Sequence, residues 1–348
     1  MTQSKTESEN WASQSERGTR LGILISAGIY KIVGRRVSMI ILAPVVFFFY
    51  LTGGVQRRAS RAYLNRAYEK GLIKKKPSFW TGFVHFMAFT GSMLDKLASW
   101  TGEIDNTHVS GVDGGAFDAA KKSGRGGLVL TGHLGNPELI RAVATVNRRF
   151  SVTVLMHTQN AQQFNSVINQ FSDHSSVRLI QVSEIDISVA MQLSSRVEAG
   201  EWVVMAADRP PPRGTSKEST VPVQFLGAEA QFPIGPYILG AALKCPTFFL
   251  SCIRTKSKPP FSIMFRPFAD PLQLPRRDRA DALQTYAQRY ASLLEEALQE
   301  APMQWFNFFD FWNDFSNETS KSSSDKDLKS PADSDSKVAN ERNGQGIE

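Results

Sequence analysis

His133 and Glu138 stand five residues apart in the stretch "GRGGLVLTGHLGNPEL", residues 124–139. An imidazole held by a carboxylate is a general base. The carboxylate fixes the ring tautomer and supports the positive charge that the ring acquires when it takes a proton from a hydroxyl. On a continuous helix the two residues would point about 140° apart. A loop between them removes that obstacle, and Gly135 permits a tight path. No serine or cysteine nucleophile stands beside the histidine in this stretch. The chemistry suggested is therefore direct attack of an acceptor hydroxyl on a carbonyl, without a covalent enzyme intermediate. Backbone N–H groups near the start of the following helix are the expected oxyanion donors.

The elements that must position this pair can be read around it. "GLVLT" has the apolar run of a buried strand, and it stops at Gly132-His133. Asn136 is a good N-cap, Pro137 suits the first helical position, and Glu138 falls in the first turn, where the helix dipole favours a negative charge. The spacing predicts strands at 107–112, 127–131, 151–157, 177–182, 202–207, 247–254 and 261–268. It predicts helices at 57–70, 79–99, 114–122, 137–147, 160–171, 185–199, 233–244 and 278–300. Strands alternating with helices of this length imply an α/β fold, a layered mixed sheet flanked by helices. Four parts follow: a polar segment at 1–20, a membrane anchor with its basic flank at 21–76, the α/β domain at 77–315 and a polar tail at 316–348, which is too poor in apolar residues to order itself.

The spacing alone is weak. Asp and Glu make up about a tenth of the chain, so a carboxylate five residues after one of five histidines is a common accident. His108 and Asp113 form a second such pair, but in a strand-like stretch followed by a "VDGG" turn with no helix start, so His108 reads as structural. Asp208 and Arg209 follow the apolar strand "WVVMAA" and so fall at its carboxyl end, the edge where ligands bind in open α/β sheets. Arg209 and Arg213 suit bidentate binding of a phosphate. With Asn136 and Arg141 they complete the candidate substrate-binding set. Cys245 and Cys252 read as buried thiols. The histidines do not cluster at ligand spacing, so no metal is expected.

Charge is distributed unevenly. Residues 1–76 carry 14 Lys/Arg against 4 Glu, or 14 − 4 = +10, in a chain whose formal net charge is +7. That excess surrounds Val37–Gln56, 20 uncharged residues bounded by Arg35-Arg36 and Arg57-Arg58, the length of a bilayer crossing. An anionic membrane surface is the partner this favours, and no nucleic-acid partner is expected. Pro44 in mid-run suggests a kinked or re-entrant path, and the preceding "LGILISAGIYKIVG" is suited to the interface.

Taken in order, the motifs carry a resemblance. "GLVLTGHLGNPEL" resembles the His-x4-Asp/Glu block of the bacterial lipid A biosynthesis (lauroyl/myristoyl) acyltransferases, within the lysophospholipid acyltransferase superfamily. "VTVLMHTQNAQQFNSVI", "WVVMAADRPPP", "VPVQFLGAEAQFPIGPYILGAALKCPTFF" and "YASLLEEALQEAPMQWFNFFDFW" resemble the family's later segments, so that the likeness covers about residues 11–315. It implies an enzyme at the cytoplasmic face of a bacterial inner membrane. Such an enzyme moves an acyl chain from an acyl carrier protein or coenzyme A thioester to a hydroxyl of a lipid or glycolipid, with no bound cofactor, His133 as base and Glu138 as its partner. Two departures bear on the acceptor: "WFNFFDFW" stands where a Trp-x-His-Arg-Arg-like ending is usual, and "AADRPPPRG" is proline-rich in a loop that usually carries glycine. The aromatic ending resembles acyltransferases of polyene-pigment or fatty-acid-like synthase clusters. The alternatives are a glycerophospholipid or lysophospholipid acyltransferase and, from another class, a non-catalytic membrane lipid-binding or scaffold protein.

Overall fold

A computed structural model describes residues 20–100, 102–111, 119, 122, 124–139, 151–156, 177–182, 186–210 and 219–312. The expected helices at 114–122 and 160–171, most of the one at 137–147, the segment 1–20 and the tail 316–348 lie essentially outside the described residues.

Three helices open the fold: α1 (Arg20–Thr52), α2 (Gly54–Glu69) and α3 (Phe79–Trp100). A seven-stranded sheet follows, built from β1 (Val109–Ser110), β2 (Leu128–Thr131), β3 (Val152–Met156), β4 (Val177–Gln181), β5 (Trp202–Ala206), β8 (Thr247–Arg254) and β9 (Phe261–Ala269) in the order β1-β9-β8-β2-β5-β3-β4. The strands pair in parallel except β8 with β9, which are antiparallel, so the sheet is mixed as expected. Helices α4 (Ile187–Glu198), α5 (Gly235–Leu243) and α6 (Arg279–Glu300) complete the described elements, α4 following β4 and α6 following β9. β2 is buried at every position and β8 at all but its last, which suits apolar runs in the middle of a covered sheet.

Alternate residues along these strands feed two clusters. Leu128, Leu130, Val203 and Met205 join the main core with α2, α4, α5 and α6. Val129, Val204, Phe248 and Leu250 join a second cluster with Ala98 and Leu139 on the other face. A hairpin of β6 (Thr220–Phe225) and β7 (Ala228–Pro233) was not expected from the sequence. Its two-residue turn places both Leu226 and Gly227 at positive φ, 49° and 78°, the requirement of a type I′ turn. Pro222 is tolerated because no further strand pairs with the outer edge of β6, which meets side chains of α6 instead.

The break expected at Pro44 is not where α1 bends. Pro44 is accommodated within the helix, and the non-helical residue is Gly34, at φ 70° and ψ 175°. From Arg35 onward α1 lies antiparallel on α3: Arg35 meets Asp95, while Tyr50 meets Phe79, Phe83 and Phe86. α3 is fixed in turn to the domain, with His85 Nε2 3.0 Å from the Trp305 carbonyl and Ser92 Oγ donating to the Gly135 carbonyl at 3.1 Å. Tyr63, Leu64 and Ala67 of α2 are part of the main core, so the basic segment before residue 76 is built into the same body.

Candidate active site

The register between β2 and β5 builds the site. Thr131 lies opposite Ala206 in adjacent parallel strands. Two residues further along each chain, His133 and Asp208 leave the sheet side by side at its carboxyl edge. The His133 imidazole and the Asp208 carboxylate meet through Nδ1 and Oδ1 at 2.8 Å, and the His133 backbone N–H donates to Oδ2 at 2.8 Å. Gly132 makes this approach possible. A Cβ there would lie 2.6 Å from the Tyr290 hydroxyl and 2.9 Å from the Asp208 carboxyl carbon.

Asp208 is wholly buried, and a buried carboxylate must be fully hydrogen-bonded. Trp305 Nε1 donates to Oδ2 at 3.1 Å and Asn307 Nδ2 at 3.2 Å. Both donors come from the segment after α6, which also supplies the partners of Arg209. The Arg209 guanidinium donates to Asn307 Oδ1 at 2.6 Å and to the Phe306 carbonyl at 3.0 Å, over the Phe309 ring. Burial pushes the Asp208 carboxyl up. The His133 contacts, the Arg209 charge and the backbone N–H outweigh that and bring it down to about 2. The carboxylate is thus ionised and can only accept, which assigns the Nδ1 proton to His133 and leaves Nε2 with its lone pair.

The His133 ring is held below its ordinary range by burial and by the positive charge of Arg209, with Lys96 acting in the same direction and Asp208 opposing. It is neutral at pH 7, the state a base requires. About a third of the side chain remains open, 32% by area. Its surroundings are a cavity of about 970 Å³ walled chiefly by apolar side chains, among them Val154, Met205, Ile238 and Leu283, with Ser92, Lys96, Arg209 and Arg279 among its polar members. A volume of this order holds an elongated apolar ligand.

The sequence-based expectations meet this geometry unevenly. The orienting contact expected from Glu138 is made on Nδ1 by Asp208. The Glu138 side chain lies outside the described residues, as do Arg141 and Arg213. Asp208, expected to contact substrate, is turned to His133 instead. Arg209 lines the cavity. Asn136 also lines it, but it does not cap the 3-10 turn Pro137–Leu139 with its side chain; Nδ2 donates to the Ser92 carbonyl at 3.2 Å. The expected backbone oxyanion donors are largely engaged. His133 N donates to Asp208, Gly135 N to the Gln304 carbonyl, Asn136 N to the Cys252 carbonyl and Leu139 N to the Asn136 carbonyl. His108 pairs locally with Asp105 at 2.8 Å, away from this site, in keeping with a structural role. Both cysteines are free and buried. Sequence reading missed Asn307 and Trp305 as donors to Asp208. Their signal was a polar residue within "QWFNFF", a run otherwise rich in aromatics.

With the geometry in place, comparison adds a family. Residues 76–313 match the family described as bacterial lipid A biosynthesis acyltransferase, a stretch that contains every residue of the site above. No curated protein matches the chain.

Proposed function

The chain belongs to the bacterial lipid A biosynthesis acyltransferase family, and on that premise we propose that it transfers an acyl chain from a thioester to a hydroxyl of a lipid or glycolipid, with His133 as general base. The observation that carries the assignment is the His133–Asp208 pair, a partly open imidazole on a wholly buried carboxylate. Its neutral imidazole carries the proton on Nδ1 and stands beside a large, mainly apolar cavity.

The step runs as follows. The acceptor hydroxyl lies against His133 Nε2 and the acyl chain of the donor occupies the cavity. Nε2 removes the hydroxyl proton as the oxygen attacks the thioester carbonyl. The ring becomes imidazolium, and Asp208, 2.8 Å from Nδ1, stabilises that charge. The tetrahedral intermediate carries a negative oxygen. With the motif's backbone donors largely engaged, Lys96 and Arg209, the cavity-wall cations whose charge acts on His133, are the groups that balance it. Collapse breaks the C–S bond, the imidazolium returns the proton to the departing thiolate, and an ester and a free thiol result. Arg141 and Arg213 keep the substrate-binding roles read from the sequence, and Glu138 keeps the role of a second carboxylate serving the His133 motif. The donor is an acyl carrier protein or coenzyme A thioester, and the site of action is the cytoplasmic face of the inner membrane.

The test uses the detergent-purified protein and its His133→Ala variant, each with carrier-protein and coenzyme A thioesters of several chain lengths and a total lipid extract. Thiol release and new acylated lipids are followed by mass spectrometry. Wild-type transfer that falls about a hundredfold or more in the variant is expected for a lost general base. Equal transfer by both proteins would remove His133 from the chemistry. Acylation of lysophosphatidate or glycerol phosphate in preference to a glycolipid would reassign the acceptor.

A further inference from the structure

Gly28–Thr52 is, among the described residues, the helix long and apolar enough to cross a membrane. Its attachments argue for a different disposition. At its start Tyr30 packs on the second core cluster, and Arg35 pairs with Asp95, which also holds Arg254 at the end of β8. At its end the chain turns directly into α2, where Ser60 Oγ meets His85 Nδ1 at 2.8 Å and the Tyr63 hydroxyl donates to the Pro302 carbonyl. One globular body therefore holds both ends of the apolar segment. A segment crossing the bilayer would require that body to lie on both sides of it.

The face pattern agrees. From Arg35 to Tyr50 the covered positions are 35, 38, 39, 42, 43, 46, 47 and 50, a helical stripe against α3. Val37, Ile40, Ile41, Val45, Phe48 and Phe49 form the opposite stripe and are exposed, Ile40 at 72% and Phe48 at 60%. Trp80 and Val84 of α3 extend this apolar surface. Exposed cations flank it: Lys31 and Arg36 at one end, Arg58 and Arg61 at the other, with Lys74, Lys75 and Lys76 in the loop before α3. Between residues 31 and 76 the only acid is Glu69. An apolar stripe bounded by cations, with no acid of its own, complements an anionic leaflet.

We propose that α1 and α3 form a monotopic membrane-binding face. α1 lies in the plane of one anionic leaflet, its outward stripe among the acyl chains and its flanking cations at the headgroups, and the chain does not cross. A consequence rests on the acyl-transfer reading. Among the described residues, α3 is the layer between α1 and the cavity, since Phe89, Ser92, Met93 and Lys96 of α3 line the cavity. Packed helices are separated by about 8–10 Å, so His133 works near headgroup depth and a lipid hydroxyl reaches it without leaving the leaflet.

The experiment is independent of catalysis. Both native cysteines are buried, so the wild-type chain serves as the blank. Lys31→Cys and Arg58→Cys mark the two ends of the apolar segment, and Lys256→Cys, on an exposed loop, marks the side of the globular body. Each full-length variant, in sealed membrane vesicles of both orientations, is treated with a membrane-impermeant maleimide. All three sites reacting from the same side is the expected result. Lys31→Cys or Arg58→Cys reacting from the side opposite Lys256→Cys would overturn the proposal. So would reaction of either end only after detergent, or recovery of the protein away from the vesicles. A chain that labels as expected yet transfers no acyl group would leave the membrane face standing and remove only the catalytic reading.

Discussion

Asp208→Asn changes one atom and should disable the site. In the native pair, Oδ1 accepts the Nδ1 proton of His133, while Oδ2 accepts from the His133 backbone, Trp305 and Asn307. An amide has one acceptor and one donor end. With its oxygen toward the three donors, the NH₂ faces Nδ1, which must then accept. The ring proton moves to Nε2, and the base loses the lone pair it needs. With the amide turned round, the NH₂ confronts three N–H groups, a conflict costing about 1–3 kcal/mol for each buried donor left without a partner. The first arrangement is therefore favoured, and the expected loss in kcat/KM is that of a misdirected general base, about 10²–10⁴-fold, or roughly 2.7–5.4 kcal/mol in the barrier. The assay is thiol release with the donor and acceptor identified by the lipid-extract experiment, measured from pH 5 to 9. Wild-type kcat/KM should fall on the acid side with a midpoint below 6.5, because burial and Arg209 hold His133 down. The variant should stay low throughout, since raising the pH does not return a proton to Nδ1. Retention of more than about a third of wild-type kcat/KM, with His133→Ala inactive, would refute the claim that Asp208 sets the tautomer.

Other outcomes follow from the same geometry. Gly132→Ala should lower kcat sharply and destabilise the fold by about 1–3 kcal/mol, because the new methyl group meets the Tyr290 hydroxyl and Asp208; matched denaturant unfolding and turnover measurements check both. His85 is fully buried between Ser60 and Trp305, and burial lowers it to about 4. Its fold prefers the neutral ring, so stability is full above the unfolded value of 6.5 and is lost as pH falls toward 4. The fall from 6.5 to about 4 corresponds to roughly 3 kcal/mol, and His85→Gln should flatten that part of the stability curve in urea titrations between pH 7 and 4. Asp208, lowered from 3.8 to about 2, adds a second loss between those values, worth roughly 2 kcal/mol, that Asp208→Asn removes. Val182, just beyond β4, lines the cavity three strand spacings from β2, about 14 Å. Val182→Trp should shift the preferred donor to a shorter acyl chain while leaving the rate with short donors unchanged, as competition between chain lengths would show.

The central strands β2, β3 and β5 were legible because they are mostly apolar runs that lead into glycine, histidine or aspartate. The hairpin was not, because "TVPVQF" and "AEAQFP" mix proline, alanine and polar residues, and their pairing depends on a turn with Leu226 in a left-handed conformation. His133 could be picked out locally, but its partner on Nδ1 could not. Glu138 is five residues away along the chain, whereas Asp208 is 75 residues away and adjacent only through the register of β2 with β5. The sequence did place Asp208 at the carboxyl end of a strand. What was missing was the order of strands, which makes β2 and β5 neighbours although two strands intervene between them in the chain. The role of Asn307 was hidden for the same reason, since its neighbours in sequence say only that the segment is aromatic.

The strand order also governs the moment at which this protein becomes competent. β2 is flanked by β5 on one side and by β8, residues 247–254, on the other. Two of the four donors to Asp208 come from residues 305 and 307. A chain emerging from the ribosome as far as residue 300 already contains the imidazole and the carboxylate. It still lacks the indole and the amide that satisfy the buried charge, and the Trp305 carbonyl on which α3 rests through His85. Synthesis runs from the N-terminus, so the apolar stripe of α1 is made well before the residues that supply the last contacts of the site. On the membrane-face proposal, the nascent chain carries the surface that would settle on a leaflet before it carries the groups that complete the His133–Asp208 pair.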